Sequence, residues 1–288
     1  MSALFAAGGK RLRPALVLLA ARLGHYEFDR LVPAAMAVEI THAATLVHDD
    51  VIDRAELRRG RPTVAASHGN EPAIVIGDYY LVKAYELLSR TGSPEVVAIL
   101  ARAVMEICAG EVRQHALRYH YAPDLDRYMQ WIHDKTATLL AACCEIGAVL
   151  GELSDRDRAS LREYGILLGL AFQIADDVID YTGSEDEVGK PIGHDLVEGF
   201  ATLPLMIALE DPVVARSARD LLVDGRALSA EEARRVVALV RDSGSPSRAI
   251  ERAREIASDA ASKIDALQHG PAHDALVALS TYVVTRKL

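Results

Sequence analysis

The chain is sparing with cysteine, with aromatic residues and with positive charge. Its three cysteines, Cys108, Cys143 and Cys144, form neither an even disulfide framework nor a CxxC pair. They read as reduced core thiols of a cytoplasmic protein. Aromatics make up only 5% of the 288 residues although 50% are apolar. The apolar content is mostly Ala, Leu, Val and Ile, a mixture that suits packed helices better than a β-sandwich. A net charge of −9 argues against holding nucleic acid by bulk electrostatics. No uninterrupted apolar run approaches the ~20 residues of a transmembrane helix. Met1–Lys10 has no basic stretch ahead of an apolar one, as a secretory signal would. No segment alternates like a strand, and no Pro/Gly/Ser-rich linker divides the chain. The expectation is one all-α domain over residues 1–288, built of about ten helices.

What is present is helical punctuation. Glycines such as Gly24, Gly92, Gly151, Gly225 and Gly244 separate periodic segments. Ser93-Pro94, Asp211-Pro212 and Ser245-Pro246 each set a capping residue before a proline at the first helical position. Ser229 with Glu232 is a capping box. Two helices stand out, one from about Pro33 into the fifties and one from about Asp155 to Tyr181. In the first, Val38, Thr41, Thr45, Asp49 and Ile52 follow the spacing of a buried stripe. In the second, Leu161, Gly165, Leu168, Phe172, Asp176 and Ile179 do the same. Each stripe carries a carboxylate where a core residue belongs, and an unpaired buried charge is costly.

The pentapeptide Asp-Asp-Val-Ile-Asp occurs twice, at Asp49–Asp53 and at Asp176–Asp180. Residues four apart share a helix face, so Asp49 points with Asp53 and Asp176 with Asp180. Asp50 and Asp177 are turned away by about 100°. Like charges at this spacing repel, which makes sense if a hard divalent cation sits between them. Ligands of oxygen alone favour magnesium over zinc, and magnesium completes its octahedron with water and phosphate.

Cations that suit a polyanion lie nearby in sequence. Gly8-Gly9-Lys10-Arg11-Leu12-Arg13-Pro14 is a glycine-rich basic turn entering a helix. Leu57-Arg58-Arg59-Gly60-Arg61 follows the first acidic motif, and arginine forks grip phosphate bidentately. Lys135-Thr136 and Gly189-Lys190 add further cations. His42 lies two turns before Asp49 on the same face and reads as a ligand contact; His48 has no assigned role.

Taken in order, GGKRLRP, HDDVIDRAELRRGRPT, GEVRQ, KTA, FQIADDVIDY and GKPIGHDL resemble the trans-isoprenyl diphosphate synthases over nearly the whole chain. The resemblance implies an antiparallel helix bundle around a deep hydrophobic cavity, with the two aspartate motifs across its mouth. It implies about three magnesium ions on an allylic diphosphate. By position, Asp49, Asp53 and Asp176 look like the main metal ligands and Asp50, Asp177 and Asp180 like supporting ones. Lys10, Arg13, His42 and Arg59 resemble the isopentenyl diphosphate site, and Arg58, Lys135 and Lys190 the allylic diphosphate clamp. Thr136 and Gln173 resemble the polar groups near the developing carbocation. The family also implies a homodimer, with a small partner subunit in two-component members, and an allylic primer from dimethylallyl to geranylgeranyl diphosphate. A long product would be released at a membrane surface.

Two departures stand out. Many members carry lysine after the glycine following the second motif, where this chain reads Glu198-Gly199-Phe200. Relatives usually have one or two helices ahead of GGKRLRP, and these are expected to be missing. Thr41, Ala44 and Thr45, below Asp49, are small, which leaves the tunnel floor open. Together with THAATLVHDDVID, which looks most like long-chain polyprenyl synthases, they suggest a product longer than geranylgeranyl. Geranylgeranyl synthesis is the alternative. A terpene cyclase would not need Lys10, Arg13 and Arg59. A non-catalytic subunit would not keep both aspartate motifs, and a phosphohydrolase would need a water-activating base that nothing nominates.

Overall fold

The computed structural model describes residues 11–58, 60–183 and 192–285. Lys10, Arg59 and Lys190 lie outside them. Among the described residues the only strands are two-residue β1 (Leu57–Arg58) and β2 (Arg61–Pro62), paired antiparallel. The rest is helix and connecting loop, as the composition implies.

The helices are α1 (Leu12–Ala21), α2 (Phe28–Ile52), α3 (Val64–His68), α4 (Asn70–Ser89), α5 (Pro94–Ala116), α6 (Leu125–Ile132), α7 (Thr138–Leu150) and α8 (Asp155–Thr182). A single π-helical turn, His133–Ala137, joins α6 to α7. Then follow α9 (His194–Val197), α10 (Leu203–Ala208), α11 (Pro212–Ala218), α12 (Ala230–Asp242), α13 (Ser245–Lys263) and α14 (Pro271–Thr285). There are more than the expected ten because short helices such as α3 and α9 leave no periodic pattern to read.

Contacts divide the chain into two compact units. One holds the residues up to Ala103 with Ala142–Arg162 and Leu267–His273; the other holds Val104–Ala141, Glu163–Ala266 and the residues from Asp274. In the first unit α2 packs mainly on α4 and also on α1. Glycine makes the close approaches here. A Cβ at Gly147 would lie 2.3 Å from the Val17 carbonyl oxygen, and one at Gly77 would strike the His48 ring. Helix α2 begins five residues before the expected Pro33, which sits inside it. Proline removes one N–H, and a helix's early turns tolerate that loss best. With 25 residues α2 is long and apolar enough on average to cross a bilayer, a property that a search for uninterrupted runs overlooks. Half of its apolar window is buried within the protein, as in a core helix.

In the second unit Ala233, Val236, Val237 and Val240 line one face of α12. They pack with Tyr181, Leu196 and Leu205. The Ser229–Glu232 capping box opens α12 as expected. At α13 the cap falls on Gly244, and Ser245 is already helical. Cys143 and Cys144 are buried, whereas Cys108 is exposed on α5 and is no core thiol.

Candidate active site

In the first unit His42, Thr45, Asp49 and Asp53 follow one face of α2 to its C-terminal end. His42 and Asp49 are half-buried and Asp53 is exposed. Asp50 is turned inward and buried, where the Arg58 Nε donates to it at 2.7 Å. Arg58 lies on β1, so the strand after the motif brings its guanidinium back onto the motif. Arg13 is half-buried on α1. Ala44 is buried and packs with Val47, Ala73 and Tyr80. Thr41 is fully buried, its hydroxyl without a hydrogen-bond partner among the described residues. The Thr45 hydroxyl donates to the His42 carbonyl at 2.9 Å.

The second unit gathers the remaining expected residues more closely. A Cβ on Gly169 would stand 2.4 Å from the Ala137 Cα, and one on Gly165 would stand 2.6 Å from the Ala141 Cα. These two glycines let α8 lie directly against the π-turn and the start of α7. Such turns interrupt a helix at functional positions, and this one presents Lys135 and Thr136. The Lys135 Nζ donates to Gln114 at 2.8 Å and pairs with Glu111 at 3.1 Å. GEVRQ, a motif without an assigned role in the sequence, thereby gains one. The Thr136 hydroxyl donates to the Gln173 Oε1 at 2.7 Å. Asp134, which sequence reasoning missed, is buried and accepts from Gln130 at 2.7 Å while pairing with Arg113 at 2.7 Å. It anchors the turn from within.

The second aspartate motif is divided by its surroundings. Asp176 is half-buried. Asp177 is only 2% exposed and accepts from Gln173 at 2.8 Å and from the Tyr128 hydroxyl at 2.6 Å. Burial and the charge of Asp195 push its carboxyl well above the usual carboxylate range, against the pull of those two donors. Asp180 accepts the backbone N–H groups of His194 at 3.2 Å and Asp195 at 3.1 Å, and so caps the start of α9. Both oxygens of Asp177 and of Asp180 therefore already face protein donors. Beside this network lies a cavity of about 340 Å³ lined by Gln114, Leu117, Tyr128, Trp131, Phe200 and Met206. Phe200, the departure from the expected lysine, packs on Trp131 at 5.5 Å between ring centroids.

Among the described residues no three His, Cys, Asp or Glu side chains converge as a ready-made metal cage. That fits a hard cation which takes one or two carboxylates and completes its shell with phosphate oxygens and water. Half-buried or exposed carboxylates at Asp49, Asp53 and Asp176 can still supply such ligands.

The polyprenyl synthetase family model matches residues 1–240. The chain belongs to that family. Its members are prenyltransferases, and so is this chain. It is 44% identical over 208 residues to heptaprenyl diphosphate synthase component 2 of Geobacillus stearothermophilus, a match covering 72% of this chain and 65% of that protein. It is thus similar to a little under two thirds of that relative's length. With the octaprenyl diphosphate synthase of Escherichia coli it shares 35% identity over 283 residues, 97% of this chain and 86% of the relative. Geranylgeranyl diphosphate synthases stand among the other relatives. A polyprenyl synthase from Caulobacter crescentus, solved with calcium and isoprenyl diphosphate, superposes with a TM-score of 0.91 at 37% identity, covering 98% of this chain and 87% of that one. The all-α isoprenoid-synthase fold expected from the motifs is therefore the fold of this polyprenyl synthetase. The family works with divalent metal.

Proposed function

We propose that this polyprenyl synthetase joins isopentenyl diphosphate to an allylic diphosphate in a magnesium-dependent condensation and repeats the step beyond geranylgeranyl length. The observation that carries the reading is the π-turn of the second unit. It holds Thr136 against Gln173, one helical turn before Asp176, and carries Lys135 beside it. Cation, hydroxyl, amide and carboxylate are the groups that an ionising allylic diphosphate needs around it.

The C1–O bond of the allylic substrate breaks and diphosphate leaves with the electron pair. The double bond of isopentenyl diphosphate attacks the resulting cation, forming a carbon–carbon bond, and a proton is then lost to the departed diphosphate. Magnesium, about three ions by resemblance, supplies neutralising charge as the diphosphate leaves. Asp49, Asp53 and Asp176 are the residues that would hold it. Asp50, Asp177 and Asp180, already engaged by Arg58, by Tyr128 with Gln173, and by α9, act by holding the helices in register. Lys135 and Arg58 bind the allylic diphosphate, with Lys190. Lys10, Arg13, His42 and Arg59 bind isopentenyl diphosphate. Thr136 and Gln173 turn their dipoles toward the allylic cation.

Product length beyond geranylgeranyl is supported by the small Thr41 and Thr45 on α2 and by the names of the hepta- and octaprenyl relatives. A homodimer is supported by exposed apolar stripes, Met105, Cys108 and Val112 on α5 and Val75, Tyr79 and Val82 on α4. A two-component enzyme is the second reading, favoured by the name of the Geobacillus relative. The expected location is the cytoplasm, at the membrane surface during product release.

The test is incubation of the pure protein with magnesium, labelled isopentenyl diphosphate and farnesyl diphosphate, with product length read by chromatography. Polyprenyl products longer than geranylgeranyl support the proposal. A product ending at geranylgeranyl refutes the long chain, and the absence of incorporation with any primer points to a missing second component.

A further inference from the structure

Asp177 is a buried carboxylate of the second motif with both oxygens bonded, and its shorter bond comes from a different element. Helix α6 opens on Asp124, whose side chain accepts the Arg127 N–H at 3.0 Å. This start sets the rotation of α6 and turns Tyr128 inward, where it is 2% exposed. The Tyr128 ring stands edge-on to Trp131 at 5.9 Å, so its direction is fixed by packing before any hydrogen bond is counted.

Its hydroxyl donates to the Asp177 Oδ2 at 2.6 Å. The Asp177 Oδ1 takes the Gln173 Nε2 at 2.8 Å, and the Gln173 Oε1 takes the Thr136 hydroxyl at 2.7 Å. The four groups form one directed chain. Gln173 thus turns its NH2 toward Asp177 and its oxygen toward Thr136.

We propose that Tyr128 is a positioning residue for prenyl transfer. By pinning Asp177 it fixes the Gln173 amide and the rotation of α8 that presents Asp176. The inference rests on the roles proposed above for Gln173 and Asp176. Removing the hydroxyl leaves a buried carboxylate oxygen without this donor. The cavity lined by Tyr128 then lets water or a swung Asp177 side chain take its place. Either change releases the amide from its single orientation.

The experiment compares Tyr128→Phe with Tyr164→Phe. The Tyr164 hydroxyl, fully buried on α8, donates to the Leu276 carbonyl at 2.8 Å and touches none of these groups. Melting temperature, kcat, KM for both substrates and the magnesium concentration for half-maximal rate are measured on each variant. Both variants are expected to melt lower. Only Tyr128→Phe should lose about ten- to a hundredfold in kcat, the rate equivalent of one hydrogen bond to a charged group. Its KM for isopentenyl diphosphate should stay unchanged, and half-maximal activation should need more magnesium. Equal kcat in the two variants, or a Tyr128→Phe effect confined to melting temperature, overturns the proposal. If Tyr128→Phe does not fold, Asp177→Asn and Gln173→Ala serve instead. Coupled losses, in which the double variant is no slower than the worse single one, support the chain, and independent multiplying losses refute it. A wild-type protein that transfers no prenyl group refutes the underlying reading instead, whatever the variants do.

Discussion

Substituting Gly169 by alanine tests how the fold makes the site. The added Cβ would stand 2.4 Å from the Ala137 Cα and 2.8 Å from the Ala137 Cβ. Carbon atoms settle at about 3.5–4.0 Å, so α8 and the π-turn must part by ~1 Å. The Thr136–Gln173 hydrogen bond, 2.7 Å long, would stretch to about 3.7 Å, outside bonding range. Alanine in mid-helix returns about 1 kcal/mol over glycine, while overpacking a tight contact costs ~1–3 kcal/mol. Net destabilisation should therefore be at most about 2 kcal/mol. The rate should suffer far more, because an ångström of misplacement at reacting groups can cost about a hundredfold. Denaturant unfolding would give the first quantity, and incorporation of labelled isopentenyl diphosphate the second. A Gly169→Ala protein with wild-type turnover would refute the claim that this close approach positions the catalytic pair.

Asp49→Ala and Asp176→Ala should each reduce turnover by about a thousandfold or more while circular dichroism and melting change little; retained activity would remove the metal assignment. Thr45→Phe should shorten the product, read by chromatography, and an unchanged length would move the tunnel floor elsewhere. Ser229→Ala should destabilise the protein by ~1 kcal/mol through loss of the cap on α12. The pH dependence of that cap has a definite sign. Backbone and side-chain hydrogen bonds from Ser229 and Arg226 hold the Glu232 carboxyl down at about 2, below its usual value. Its stabilisation is therefore present above the unfolded carboxyl's pKa of about 4.3 and is lost as pH falls through about 2. Acid unfolding of Glu232→Gln should show a flatter slope across that window, and an identical slope would contradict the bond pattern.

The helical architecture was legible because it follows from periodicity and caps. Helix α8 begins where Asp155 was expected to begin it and ends one residue past Tyr181. Asp211 caps α11 through the Val213 N–H, as Asp211-Pro212 implied. The paired aspartates were legible too, since a repeated motif in an apolar stripe has no structural excuse. What the sequence could not display were partners brought in from elsewhere. Tyr128 lies 49 positions from Asp177 and carries no local signal of its own. Asp50 looked like a sibling of Asp49, yet Arg58 on β1 donates to it. One signal was available and unused: Gly165 and Gly169, four apart in a helix, mark a face where another backbone comes close.

The most direct test is a crystal structure of the protein with magnesium and an unreactive thiolo-analogue of the allylic diphosphate. The account predicts carboxylate oxygens of Asp49, Asp53 and Asp176 about 2.1 Å from magnesium, Lys135 turned from Glu111 and Gln114 to the diphosphate, and Asp177 still held by Tyr128 and Gln173. A diphosphate bound away from these carboxylates, or Asp177 ligating metal while Asp176 turns aside, would contradict it.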